Sequence, residues 1–130
     1  MRLLLDTQAF LWAASDPEKF SKRARTAIED SSNEVFVSAA VAWEIAIKHA
    51  LGKLQTPSAP AVYVPARVAK LGFKPLAIAL EHALAVGGLP SHHNDPFDRI
   101  MVAQAQVEGL TLVTSDRNIL KYSVKTLQAV

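Results

Sequence analysis

Short apolar runs alternating with helix-like segments predict an α/β fold, a three-layer α/β/α arrangement with a central, mainly parallel sheet. The runs Arg2-Leu3-Leu4-Leu5, Val35-Phe36-Val37 and Thr111-Leu112-Val113-Thr114 suit strands buried within a sheet. The segments between them carry helix caps and stops in the right order, and strands alternating with helices imply right-handed crossovers. A chain of 130 residues, 50% apolar and 20% charged, has the composition of a globular protein and the length of a single domain over residues 1–130.

Arg2 to Leu5 is read as the first strand, ending at Asp6, with Thr7 as cap of a short helix through Ala9-Phe10-Leu11-Trp12-Ala13-Ala14. Ser15-Asp16-Pro17 breaks that pattern, and Ser21 caps a charged helix over Lys22 to Asp30 that the turn formers Ser31-Ser32-Asn33 end. After the second strand, Ser38 is placed to cap a helix from Ala39 to Leu51, closed by Gly52 in the left-handed conformation. Pro57, Pro60 and Pro65 stiffen the next connection, so the helix toward Leu71 is expected to start late or to kink at Pro65. Gly72 ends it. Phe73 to Ile78 is read as an edge strand around Pro75, and Ala79 to Val86 as a helix stopped by Gly87-Gly88. Asp95 caps the following helix, Pro96 fits its first position because that N–H has no partner there, and Gly109 stops it. Thr111 to Thr114, a short helix over Asn118 to Lys121 and a strand over Val124 to Leu127 complete the chain.

Several classes are excluded by composition. No apolar run approaches a membrane span, and Asp6 interrupts Leu3-Leu4-Leu5 too early for a signal-peptide core. Cytoplasmic residence is the expectation. The chain has no cysteine, which removes disulfides, thiolate zinc sites and a cysteine nucleophile together. There is no Gly-x-Ser-x-Gly elbow and no Gly-Lys-Ser/Thr phosphate loop, and His82 has no evident nucleophile beside it. The net charge of +2 is small, yet from Glu44 to Glu81 the chain carries Lys48, Lys53, Arg67, Lys70 and Lys74 and no acid between.

Four acids stand out by position. Asp6 ends the first strand, Glu44 lies early in the helix after Ser38, Asp98 sits in the first turn after Asp95, and Asp116 follows the Thr111 strand. Ligands of open parallel sheets bind beyond the carboxyl ends of the strands, where helix N-termini also converge. Carboxylates gathered there repel unless a cation or protons intervene, and oxygen donors without Cys or paired His favour Mg²⁺ or Mn²⁺. Each acid also has a structural reading: Asp98 complements a helix dipole, Asp116 caps, and Asp6 and Glu44, set in apolar sequence, pair with buried cations.

The acids sit in four motifs: Leu4-Leu5-Asp6-Thr7-Gln8-Ala9-Phe10-Leu11-Trp12, then Val37-Ser38-Ala39-Ala40 with Trp43-Glu44-Ile45-Ala46-Ile47-Lys48. His93-Asn94-Asp95-Pro96-Phe97-Asp98-Arg99-Ile100-Met101-Val102-Ala103-Gln104-Ala105 and Leu112-Val113-Thr114-Ser115-Asp116 follow in that order. Together they resemble the PIN-domain ribonucleases, specifically the VapC-type toxins of bacterial toxin–antitoxin pairs, and the resemblance spans the chain. It implies a PIN-like fold in which Asp6, Glu44, Asp98 and Asp116 hold Mg²⁺ or Mn²⁺ and position the water that hydrolyses an RNA phosphodiester. Asp95 is left as the cap. It further implies a homodimer and a VapB-like antitoxin whose C-terminal segment covers the acidic groove.

Setting those four aside from the 12 acids leaves 8 against 14 bases, an excess compatible with RNA. Lys48, Lys53, Arg67, Lys70, Arg99 and Arg117 are the candidate phosphate contacts, each also readable as an ordinary surface cation, and Arg99 as an ion-pair partner of a nearby acid. His92 and His93 are expected in a loop near the acids, where one could bind RNA or shuttle a proton, a loop position without a catalytic role being the preferred reading. Trp12 and Trp43 are expected to be buried. The competing readings are a non-catalytic metal-binding module and a phosphoacceptor regulatory domain; Asp6 lacks the adjacent acid of the latter, and Gln8 stands where a haloacid-dehalogenase-type phosphatase needs an acid.

Overall fold

A computed structural model describes residues 1–130. Five parallel strands form one sheet in the order β3-β2-β1-β4-β5, with β1 Arg2–Leu5, β2 Glu34–Ser38, β3 Lys74–Leu76, β4 Thr111–Thr114 and β5 Thr126–Gln128. Six α-helices accompany them: α1 Thr7–Ser15, α2 Lys22–Glu29, α3 Ala39–Ala50, α4 Pro60–Lys70, α5 Leu80–Ala85 and α6 Pro96–Glu108. The architecture is the three-layer α/β/α arrangement predicted above. β1 is central because its side chains are apolar on both faces: Leu3, Leu4 and Leu5 are wholly buried, as a strand covered by helices on either side requires.

The order of the strands positions the site. The chain steps outward from β1 through β2 to β3, then returns to pair β4 against the other side of β1, with Leu3, Leu4 and Leu5 opposite Thr111, Leu112 and Val113. The reversal opens a crevice at the carboxyl ends of β1 and β4. Asp6 and Asp116 lie at those two ends.

Several boundaries differ from the sequence reading. Asp6, not Thr7, is the N-cap of α1; its carboxylate accepts the Ala9 N–H at 2.8 Å. α4 does not start late: Pro60 occupies its first turn, and the helix spans Pro65. α5 is shorter than expected and gives way to a 3-10 turn over Val86–Gly88, while a 3-10 turn over Ile119–Lys121 replaces the short helix before β5. Ser38, Asp95 and Gly109 act as read: the two side chains cap α3 and α6, and Gly109 ends α6 at φ 67°.

The two tryptophans do not share one fate. Trp12 is partly buried against the core and meets Phe20 edge to face, whereas Trp43 is 55% exposed. The core face of α3 is Ala40, Val41, Glu44 and Ile45, and on a 3.6-residue period Trp43 falls outside that stripe. Its ring meets Phe97 of α6 edge to face.

Candidate active site: an acidic cleft at the strand ends

Asp6, Glu44, Asp98 and Asp116 line one cleft of about 480 Å³, together with Asp95, Thr7, Gln8, Lys48, Lys53 and Ser115. The sequence separates these acids; strand order and helix packing bring them together. Asp6 is held by its cap on α1 and is buried. Burial first, then the negative charges of Asp116 and Glu44, push its carboxyl up to about 6, although hydrogen bonds from Thr114 and the Ala9 N–H oppose the rise. Asp98 is pushed further, to about 7, by burial and then by the charge of Asp95, with Asp116 and Asp6 adding to it.

Glu44 is restrained at both oxygens. Thr7 donates its hydroxyl to Oε1 at 2.5 Å, and Lys48, one turn along α3, pairs with Oε2 at 2.5 Å. That hydrogen bond holds the lysine above its ordinary value. Asp116 accepts the Asn118 N–H at 2.8 Å and donates its own N–H to the Thr114 hydroxyl at 3.0 Å. Asp95 accepts the Asp98 N–H at 2.9 Å, so it is the cap of α6 and also a second negative charge beside Asp98.

The donor set is oxygen-rich and its charges are incompletely compensated. Lys48 is the one cation paired with a member of the quartet, and the carboxyls of Asp6 and Asp98 are raised first by burial and then by the neighbouring negative charges. A hard divalent cation matches both the donors and the excess charge. The side chains as they stand form no ready-made group of three that holds a single ion. The match therefore lies in chemistry and charge.

Other sequence candidates fall elsewhere. Arg99 pairs with no acid; it donates to the Pro90 carbonyl at 2.8 Å and to the Tyr122 hydroxyl at 2.9 Å, and so ties down the loop before α6. Arg67 and Lys70 line a separate hollow at the opposite sheet edge, beside Phe20 and Phe73. His82 is buried with its ring between the Ala79 N–H and Glu108, a structural position. His93 is the residue the sequence reading undervalued: its Nε2 lies 3.2 Å from Asp98 and its Nδ1 2.8 Å from the Tyr122 hydroxyl. The signal available was its place five residues before Asp98; Tyr122 gave no signal at all.

The family model for the PIN domain matches residues 3–125. The chain belongs to the PIN domain family. It is also similar to Ribonuclease VapC16 of Mycobacterium tuberculosis, with 45% identity over 58 residues, covering 45% of this chain and 41% of that relative. This chain thus matches less than half the length of that ribonuclease. Among solved structures, a chain in the complex of VapBC2 from Rickettsia felis with a DNA fragment from their promoter superposes with a TM-score of 0.72 at 14% identity, over 98% of both chains. DNA-bound VapBC from Salmonella typhimurium gives 0.68 at 17% identity, over 100% of this chain and 99% of the other. At these identities the structural matches establish the PIN fold.

Proposed function

We propose that this PIN-domain protein is a VapC-type toxin: a Mg²⁺- or Mn²⁺-dependent endoribonuclease of the cytoplasm, neutralised by a VapB-like antitoxin. The observation that carries the reading is the convergence of Asp6, Glu44, Asp98 and Asp116 from four separated segments on one cleft, with Asp6 and Asp98 left at raised values by burial and mutual repulsion. Sequence similarity to a VapC ribonuclease and the VapBC structural relatives support it from outside the chain.

These four acids would hold the ion, which supplies positive charge opposite the phosphodiester and acidifies the attacking water. The chain's own residues prepare them. Thr7 and Lys48 fix the two oxygens of Glu44, the α1 N-terminus orients Asp6, and Asp95 sets the first turn that presents Asp98. Lys53 stands on the cleft wall with no acid paired to it and is the cation best placed for an RNA phosphate. Lys48, by contrast, is committed to Glu44.

A second reading, a non-catalytic module that docks a partner's cation among the acids, is favoured by the Lys48–Glu44 pair and by the lack of a ready-made ion site. The deciding experiment incubates purified, antitoxin-free protein with end-labelled total RNA and Mn²⁺, Mg²⁺ or EDTA, beside Asp6→Asn and Asp98→Asn. Discrete fragments that require metal and both acids support the nuclease. RNA left equally intact by all three proteins moves the assignment to the binding module.

A further inference from the structure

Asp98 is a part-buried acid of the cleft, and one of its oxygens is held by a chain of side chains from outside the acidic quartet. The chain begins at Arg99. Its guanidinium donates to the Pro90 carbonyl at 2.8 Å and the Tyr122 hydroxyl at 2.9 Å, while its other terminal nitrogen reaches the Val86 carbonyl at 3.4 Å. A guanidinium has donors and no acceptor, so the phenolic oxygen of Tyr122 must accept from it. The phenolic hydrogen is then free for the next link, and His93 Nδ1 stands 2.8 Å away. With Nδ1 accepting, a neutral ring carries its proton on Nε2, 3.2 Å from Asp98 Oδ2.

We propose that His93 is a positioning residue for Asp98, locked as the Nε2–H tautomer by a one-way relay of hydrogen bonds running Arg99 to Tyr122 to His93 to Asp98. The relay is shielded: Tyr122 is 4% exposed, and the His93 and Asp98 side chains are 11% and 15% exposed. A bond between buried groups resists competition from water and fixes the plane of the carboxylate. Only Oδ2 of Asp98 is engaged by the relay, which leaves Oδ1 for the cleft. The role resembles that of outer partners that orient ligating groups in metal sites. It rests on the reading of Asp98 as a site acid, whereas the relay itself stands on the bonds just given.

Two measurements test it. Long-range ¹H–¹⁵N spectra of the metal-free protein, with the His93 signals assigned by their loss in His93→Gln, should show Nε2 protonated and Nδ1 bare. Tyr122→Phe keeps the ring and removes the donor, and should abolish that preference. An Nδ1–H ring or an imidazolium in the wild type, or an unchanged tautomer in Tyr122→Phe, overturns the relay. In the RNA assay, His93→Leu should lower kcat by about 10–100-fold with KM within about twofold, and His93→Gln, whose amide still donates, should recover most of the loss. Equal impairment of the two variants, or full activity in both, overturns the positioning role. If the wild-type protein cleaves no RNA, the nuclease reading falls, and the tautomer spectra alone decide the relay.

Discussion

Asp6 shows how much one side chain can be asked to do. As N-cap it satisfies an N–H of α1, and as a cleft acid it is buried beside other negative charges, which pushes its carboxyl up to about 6. A carboxyl raised in the folded state binds its proton more tightly there than in the unfolded chain. Its favourable contribution is therefore complete below the unfolded value near 3.8 and is lost as pH rises toward 6. Asp6→Asn keeps an oxygen for the cap and removes the buried charge. In metal-free protein the variant should match wild type at pH 4 and exceed it at pH 8 by on the order of 2 kcal/mol. Thermal melts across that range check this, and a difference independent of pH contradicts it. Asp98 behaves with the same sign over a window that extends to about 7.

Elements in this fold are delimited by caps that the sequence displays, and α6 is the clearest case. Asp95 accepts the Asp98 N–H, Pro96 fills the first turn, and Gly109 closes the helix in the left-handed region. Asp95→Ala should cost about 1 kcal/mol through the lost cap. Asp95→Asn keeps the acceptor while removing the charge that burdens Asp98, and so should melt at or above wild type at pH 8. Equal losses for both variants would show that the charge, not the cap, is what matters. Where caps were absent the boundaries were harder to read. β5 lies at Thr126–Gln128 instead of Val124–Leu127, because the Val124 N–H turns back to the Tyr122 carbonyl. The cap of α1 falls one residue earlier than the sequence suggests, because Asp6 and the adjacent hydroxyl residue Thr7 both suit the position.

At the scale of the molecule, α3 leaves an apolar stripe uncovered. Trp43, Ile47 and Leu51, spaced four residues apart, are 55%, 37% and 62% exposed. Exposed apolar side chains in register on one helix face are a liability unless covered. Together with the family resemblance, the stripe supports the proposal that two copies pair through α3 or its neighbours. Light scattering at micromolar concentration should give twice the 14.1 kDa chain mass, and Trp43→Asp should halve it. A wild-type monomer contradicts the proposal.

The alternation of strands and helices, the caps at Ser38 and Asp95, the stops at Gly52, Gly72 and Gly109, and the acids worth watching are all legible in the sequence. These features are local: periodicity and capping act within a few residues, and buried acids in apolar runs are visible as such. That β4 returns to the side of β1 opposite β2, and so places Asp116 in one cleft with Asp6, emerges with the folded chain. Packing alone turned Trp43 outward and joined Tyr122 to Asp98 through His93. The reason is physical. Those contacts join residues whose partners are chosen by packing among elements, and the direction of a side chain around a helix or loop is not settled until its neighbours are in place.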